Sequence, residues 1–308
     1  MIDKNNREGD YNLGASNKAV HIMNYQNKVP LKHKTLCTVA IVLSLLSMLL
    51  MSRVSMAQDL AINELNGLYQ TLLDDYVAPG EKNGLTANMV NYADIRHDDR
   101  LNKLMTLLQN YPAEKLDTPS KRTAFYLNAY NILSITKVAD NWPLGKLKSL
   151  GSFFKPVWTH PAGKVCGEKM TLRILEHDIL RQLDEPRVHF ALNCASMSCP
   201  DLRLEPYRAE VLEAQLEGQL KIFMKQAGKG ALIVGEGQIK LSKIFKWFEE
   251  DFEKVGGVTQ FIQAYLPPAD KAWEITGYLE YDWDVTCHLT GSEKRKTKRS
   301  RGATIFRH

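Results

Sequence analysis

Apolar residues recur at intervals of three and four along most of the chain, the spacing that puts them on one face of a helix. The pattern predicts helices at residues 58–76, 99–111, 119–138, 172–183, 210–225 and 243–255. Thr118 followed by Pro119 is a helix start signal, because a threonine hydroxyl caps the first turn and proline suits the first helical position. The helix that begins there is apolar on several sides, so we expect it to lie buried at the centre of the core.

Short apolar runs between these helices predict strands. Residues 231–234 and 238–241 flank Gly-Glu-Gly and predict a β-hairpin, and residues 165–172 predict a second short hairpin or strand. Residues 188–193, VHFALN, predict a buried strand, and residues 273–285 predict mostly strand. Since helices predominate and strands are short, the sequence predicts an α+β fold, a single helix-rich domain with a small, mainly antiparallel sheet.

The 308-residue chain has a formal net charge of +5, but the charge is unevenly distributed. Residues 1–57 carry a net charge of +4, residues 293–308 carry +6, and the body between them carries −5. The composition, 44% hydrophobic and 24% charged, excludes a disordered or fibrous chain. We therefore expect no nucleic acid partner for the acidic core, and residues 289–308 are predicted to form a basic, disordered tail.

An apolar run without charge covers residues 36–51, LCTVAIVLSLLSMLLM. It is shorter than the roughly 20 residues of a membrane span and suits the apolar region of a signal peptide. Ser55 and Ala57 are small residues suitably placed for signal-peptide cleavage before Gln58. The sequence thus predicts an exported protein, periplasmic after cleavage near Ala57. The alternative is an uncleaved anchor in the inner membrane through residues 36–51.

These features divide the chain into three parts. Residues 1–57 are predicted to be an N-terminal extension with a signal peptide or signal-anchor, residues 58–288 the folded domain, and residues 289–308 the tail. Membrane contact is then expected only through an uncleaved anchor or through the basic tail.

The densest group of reactive side chains is residues 187–203, RVHFALNCASMSCPDLR. Cys194 follows the predicted buried strand, which would hold the thiol still while the loop exposes it. A straight strand would put His189 about 16 Å from Cys194, so the pair meets only if the chain turns after Asn193. His177 is the alternative imidazole partner.

Other roles for these cysteines are open. Cys194 and Cys199 could form a local disulfide in an oxidising compartment, or Cys194 could be a buried and unreactive thiol. A zinc site would need the ligands His160, Cys166, His177 and Cys194, whose spacing matches no compact zinc pattern. The chain also has no phosphate loop, dinucleotide fingerprint, zinc-helix motif or nucleophile elbow, so we expect neither a cofactor nor a metal.

Asn128 and Asn131 interrupt the apolar surface of the predicted central helix. Asparagine is a poor helix former, and a buried amide needs hydrogen-bond partners. We therefore expect at least one of the two to fasten a neighbouring loop or to orient a residue of a site.

Five segments, in order along the chain, resemble a known family. They are AFYLNAYNILSI at 124–135, TLRILEHDILR at 171–181, RVHFALNCASMSCPDLR at 187–203, LSKIFKWFEEDF at 241–252 and YLEYDWDV at 278–285. They resemble the domain of unknown function 547 family over about residues 70–287. The resemblance implies a fold related to the papain-like and transglutaminase-like cysteine enzymes, with Cys194 as the first residue to examine. Family members often keep the first cysteine of CASMSC and vary the second, which favours Cys194 over Cys199.

The order of residues departs from those enzymes. Their nucleophile usually precedes the histidine along the chain, whereas here only His288 and His308 follow Cys194. Any activity must therefore come from a rearranged site.

The clustered thiol and imidazole, together with the resemblance, favour an exported thiol-dependent hydrolase or acyltransferase that acts on an amide or peptide. Cys194 would be the nucleophile, His189 or His177 its base, and Asn128 an orienting or oxyanion-stabilising amide. The alternative is a non-catalytic envelope module that binds a peptide or a small thiol compound.

Overall fold

The computed structural model describes residues 42–46, 60–152, 154–268 and 273–288. The chain divides into two units, residues 1–54 and residues 55–308. Of the first unit, residues 42–46 are described, and they are helical and exposed. In the described parts of the chain, no helix has both the length and the apolar character needed to span a bilayer. The rest of the predicted export segment and the predicted tail lie outside the described residues.

The second unit is rich in helices. Its α-helices are α1 (residues 60–76), α2 (Tyr92–Ile95), α3 (Asp99–Asn110), α4 (Pro119–Asp140), α5 (Leu212–Met224), α6 (Lys243–Trp247), α7 (Glu249–Glu253) and α8 (Gly257–Gln263). A π-helix covers Ile174–Ile179, and short 3-10 helices cover Ala113–Lys115, Leu147–Leu150, Val157–Thr159, Leu180–Leu183 and Pro186–Phe190.

The strands form three small sheets in the described part of this unit. They are β1 (Val77–Lys82), β2 (Leu85–Val90), β3 (Pro161–Val165), β4 (Glu168–Thr171), β5 (Ala231–Gly235), β6 (Gln238–Leu241) and β7 (Glu274–Tyr278). β1–β2 and β3–β4 are antiparallel hairpins, whereas β6 pairs antiparallel with β5 and parallel with β7. Helices with small sheets make an α+β fold, as predicted, but the strands are divided among separate sheets.

Helix α4 is buried at the centre of the larger core, as its sequence predicts. The hydroxyl of Thr118 accepts a hydrogen bond from the backbone N–H of Lys121, and Pro119 occupies the first turn. The predicted start of α6 is also confirmed, because the hydroxyl of Ser242 accepts from the N–H of Ile244.

The predicted helix at residues 243–255 is interrupted in the structure. Phe248 separates α6 from α7 with φ −120° and ψ 26°, outside the helical region. The break turns the ring of Phe248 onto the imidazole of His189, with 4.0 Å between the ring centroids.

The prediction of a strand at residues 188–193 is wrong. Residues Pro186–Phe190 form a 3-10 helix, in which Pro186 suits the first turn and the Glu185 carboxylate accepts a hydrogen bond from the N–H of Arg187. A short run of buried apolar residues has no period that separates strand from helix. Of the strand predicted at residues 273–285, Glu274–Tyr278 alone forms an extended strand of the three-stranded sheet.

Two asparagines of α4 fasten loops to the core, as expected for at least one of them. The Asn131 side chain, 2% exposed, donates to the carbonyl of Ala191 and accepts from the N–H of Asn193, at 3.0 and 2.8 Å. The Asn128 amide makes the same pair of bonds with the backbone of Tyr207, both at 2.8 Å. Asn131 therefore fixes the chain directly before Cys194.

We predict that Asn131→Leu destabilises the fold, because it leaves a buried carbonyl and a buried N–H without their partner. Each such group costs about 1–3 kcal/mol, so the free energy of unfolding should fall by about 3 kcal/mol in urea titrations. The control is Asn102→Leu, on the exposed face of α3, which should change it by less than about 0.5 kcal/mol. Equal effects of the two substitutions would show that the Asn131 bonds are not needed for stability.

Candidate active site

A cavity of about 150 Å³ lies in the second unit, and we call it the site cavity. Six of the fourteen residues that line it form an aromatic wall: Tyr130, Trp158, Trp247, Phe248, Tyr281 and Trp283. The side chains that bring reactive groups to it are Glu176, His177, His189, Cys194 and Cys199. Ring contacts such as Tyr281 to Trp283, with 4.4 Å between centroids, hold the aromatic wall together.

Residues 193–200, which we call the cysteine loop, carry a disulfide between Cys194 and Cys199. The Asn193 side chain closes the loop, because it accepts from the N–H of Ala195 and donates to the carbonyl of Pro200, at 2.9 and 2.8 Å. Ala195 has φ +60°, a left-handed conformation that is uncommon for alanine. Backbone strain of this kind persists where the surrounding structure enforces it, and it often marks functional sites.

The two sulfur atoms differ in exposure and in hydrogen bonding. Cys194 is partly exposed toward the cavity, whereas Cys199 is 4% exposed. The Cys199 sulfur accepts from the N–H of Cys194 at 3.0 Å and from the hydroxyls of Tyr281 and Ser196 at 3.2 and 3.5 Å. The same two hydroxyls lie 3.4 and 2.8 Å from the Cys194 sulfur.

A chain of polar groups connects two side chains of the cavity wall, His177 and His189, through Arg181 and Asp251. Arg181 donates to both carboxylate oxygens of Asp251, at 2.6 and 2.9 Å, and to Nδ1 of His177 at 2.8 Å. Nε2 of His189 donates to Oδ2 of Asp251 at 2.7 Å. Although burial opposes it, these hydrogen bonds hold the pKa of Asp251 well below its usual range.

His189 is a buried imidazole with one free nitrogen. Its Nδ1 has no hydrogen-bond partner, while Nε2 is bonded to Asp251. Burial lowers its pKa, and the attraction of Asp251 opposes that shift only in part. The neutral imidazole therefore carries its proton on Nε2 and keeps an available lone pair on Nδ1.

His177 is held in the same tautomer by a different neighbour. Because Nδ1 accepts from Arg181, the proton of the neutral ring is on Nε2. Burial lowers the pKa of His177, and the positive charge of Arg181 lowers it further. Its Nδ1 lone pair is thus already used.

Glu176 is a candidate acid and base that the sequence did not single out. It belongs to the π-helix, an element often found at functional sites. Burial raises its pKa from 4.5 to about 7, and its closest polar contact is the Tyr130 hydroxyl, 3.4 Å away. A carboxyl group of this pKa can both give and take a proton near neutrality.

The structure brings three of the predicted site residues, Cys194, His189 and His177, to one cavity. It does not bring Asn128 there, because that amide is buried and bonded to the backbone of Tyr207. Asn128 fastens a loop, and its amide is not free to orient a substrate or to stabilise an oxyanion.

Sequence analysis missed the carboxylate of Asp251 as well as that of Glu176, and the hydroxyl of Tyr281. Asp251 lies within the helix predicted at residues 243–255, and only the tertiary fold brings it to His189. The zinc ligand set is not assembled, since His160 and Cys166 lie outside the cavity wall. Within the described ranges, no three His, Cys, Asp or Glu side chains are grouped to hold a metal.

Comparison with known families supports the resemblance. Residues 114–224 match the family of proteins of unknown function DUF547. The DUF547 segment contains Glu176, both histidines and both cysteines of the cavity, whereas Asp251 and Tyr281 lie beyond it. No curated protein and no solved structure matches the chain.

We predict that Glu176 makes the stability of the protein depend on pH. Between pH 4.5 and about 7 the folded chain keeps a proton that the unfolded chain has released, so the contribution of Glu176 to wild-type stability falls as the pH rises through this range. Glu176→Gln removes this dependence. Its free energy of unfolding, relative to that of the wild type, should therefore increase from pH 4 to pH 8 in urea titrations.

The matched control for this measurement is Glu168→Gln, at an exposed position of β4. It should keep the wild-type dependence on pH. A Glu176→Gln variant with the same pH profile as the wild type would contradict a carboxyl group that titrates near neutrality.

Proposed function

We propose that the chain is a cysteine-dependent enzyme that hydrolyses or transfers an acyl group at an amide or peptide bond. Cys194, as a free thiolate, is the nucleophile, His189 is its base, and Asp251 positions His189. The observation that carries the proposal is the pairing of His189 with Asp251 through Nε2, which leaves the buried Nδ1 without a partner on a residue that lines the same cavity as Cys194.

The chemistry requires a base whose lone pair is free and whose orientation is fixed. His189 has both properties, because Asp251 holds its Nε2–H and the ring of Phe248 stacks on it. His177 has its Nδ1 occupied by Arg181, so His189 is the better base. The expected relation to papain-like and transglutaminase-like enzymes belongs to this proposal, with the order histidine, cysteine, aspartate along the chain.

The disulfide sets the condition under which this activity can occur. In the structure the Cys194 sulfur is bonded to Cys199, and its other polar contacts are the hydroxyls of Ser196 and Tyr281. A thiolate is the nucleophilic form of cysteine. The proposed enzyme is therefore active only after the disulfide has been opened, when the Cys194 side chain can rotate toward His189.

The proposed location is outside the cytoplasm, either free in the periplasm after cleavage near Ala57 or anchored through residues 36–51. The sequence of the export segment motivates it, and a disulfide is common in oxidising compartments. The proposed substrate is a peptide or small molecule. Nucleic acid is not proposed as a partner of the acidic core.

The second candidate is a non-catalytic envelope module that binds a peptide or a small thiol compound. The aromatic wall and the closed disulfide favour it, since aromatic side chains supply most of the contact area in many ligand sites. Under this alternative the Cys194 thiol needs no activation.

The test is the reactivity of Cys194 in a Cys199→Ser variant, in which no local disulfide can form. Iodoacetamide labelling, followed across pH by peptide mass spectrometry, should have a midpoint at least one pH unit below the value of about 8.5 for a free thiol. Adding His189→Gln should return the midpoint to about 8.5, because the imidazole no longer takes the proton.

The matched control is His160→Gln, outside the cavity wall, which should leave the midpoint unchanged. Peptide analysis separates Cys194 from Cys166, whose pKa burial raises to about 11, and from the buried Cys287. A Cys194 midpoint near 8.5 before His189 is replaced would reject the nucleophile and favour the binding module.

A further inference from the structure

We propose that the Cys194–Cys199 disulfide is a redox-active pair that exchanges with small thiols, with Cys194 as the attacked sulfur and Cys199 as the leaving thiolate. This activity does not depend on the proposed acyl chemistry. It rests on three features of the cysteine loop: the unequal exposure of the two cysteines, the hydrogen-bond donors around the Cys199 sulfur, and the cavity that both cysteines line.

The first feature determines which sulfur a thiol can reach. Both cysteines line the site cavity, but Cys194 is partly exposed, whereas Cys199 is 4% exposed. Thiol–disulfide exchange requires access of the attacking thiolate to one sulfur. The geometry directs the attack to Cys194.

The second feature stabilises the product of that attack. The Cys199 sulfur is surrounded by the N–H of Cys194 at 3.0 Å and by the hydroxyls of Tyr281 and Ser196 at 3.2 and 3.5 Å. Hydrogen bonds to an ionised acceptor are stronger than those to a neutral one. These donors therefore stabilise a Cys199 thiolate more than they stabilise the disulfide, and they make Cys199 the better leaving group.

The exchange proceeds in two steps. A small thiolate attacks Cys194, a bond forms between the two sulfurs, and the bond between Cys194 and Cys199 breaks, leaving its electron pair on Cys199. A second thiolate then attacks the sulfur of the first small thiol, so that a small disulfide departs and Cys194 is left as a thiolate. Two molecules of thiol are oxidised to one disulfide, the protein disulfide is reduced to a dithiol, and the two protons of the small thiols are transferred to protein or solvent.

Glu176 is placed to supply a proton to this reaction. It lines the same cavity as the disulfide, and its negative charge is one cause of the raised pKa of the Tyr281 phenol, after burial. Tyr281 in turn contacts both sulfurs. Glu176, whose pKa burial raises to about 7, is the carboxyl group of the cavity wall that can protonate a departing thiolate.

The third feature limits the substrate. Since Cys194 lines a cavity of about 150 Å³, a thiol must enter that cavity to reach it, and the thiol end of a low-molecular-weight compound can do so. The substrate class is therefore a small thiol and its disulfide.

Glutathione is the probe for the test. The full chain is equilibrated in glutathione buffers of increasing oxidation and quenched with an alkylating reagent, and the Cys194–Cys199 peptide is weighed. We expect complete and reversible reduction while circular dichroism shows that the protein stays folded. We also expect the Cys199→Ser variant to form a mixed disulfide at Cys194 at least tenfold faster than the Cys194→Ser variant forms one at Cys199.

Tyr281→Phe tests the stabilisation of the leaving group. It should slow reduction of the disulfide by glutathione about tenfold, while Tyr278→Phe, a partly buried tyrosine of β7, should leave the rate unchanged. The proposal is overturned if the disulfide resists glutathione until the protein unfolds, or if the two single-cysteine variants react at equal rates. Its failure is distinguishable from failure of the proposed function, because labelling of Cys199→Ser across pH needs no reduction of a disulfide.

Discussion

The site depends on the buried side-chain amide of Asn131. Helix α4 is buried in the core on nearly every side. The Asn131 amide bonds the carbonyl of Ala191 and the N–H of Asn193 to this helix, so their position relative to α4 is fixed. Asn193 then closes the cysteine loop with its own side chain. The backbone of the loop also bonds to residues 282–286, including a bridge between Ser196 and Val285. Two asparagine amides in series thus hold Cys194 from the side of α4, and the segment 282–286 holds the rest of the loop.

A single carboxylate, that of Asp251, organises the polar groups behind the two imidazoles of the cavity. Asp251 accepts from both Arg181 and His189, and Arg181 also donates to His177. Burial lowers the pKa of both imidazoles, but their roles differ, since His177 uses its Nδ1 lone pair within the protein and His189 does not. The break between α6 and α7 adds to this difference, because it supplies the ring of Phe248 that stacks on His189.

The sequence predicts the parts of this fold that local signals determine. Thr118 and Ser242 mark helix starts that the structure confirms, because a capping hydroxyl acts within one turn of the chain. The β1–β2 hairpin also carries a local signal, Asn83-Gly84 with φ values of 55° and 78°, and sequence analysis missed it. Pro186 and Glu185 were likewise local start signals for the 3-10 helix at Pro186–Phe190, and the apolar run that follows them hid it. By contrast, no local rule reveals the pairing of His189 with Asp251 across distant elements.

The two proposed activities of Cys194 require opposite states of the same bond. In an oxidising compartment the disulfide is the expected resting state, and a nucleophile locked in it is inactive. Thiol exchange must therefore come first in any catalytic sequence, whatever acyl chemistry follows it. The hydroxyls of Tyr281 and Ser196 contact both sulfur atoms. They are therefore placed to donate to a Cys199 thiolate during thiol exchange and to a Cys194 thiolate in the acyl chemistry that follows. The redox state of the loop then decides whether His189 has a thiol to deprotonate.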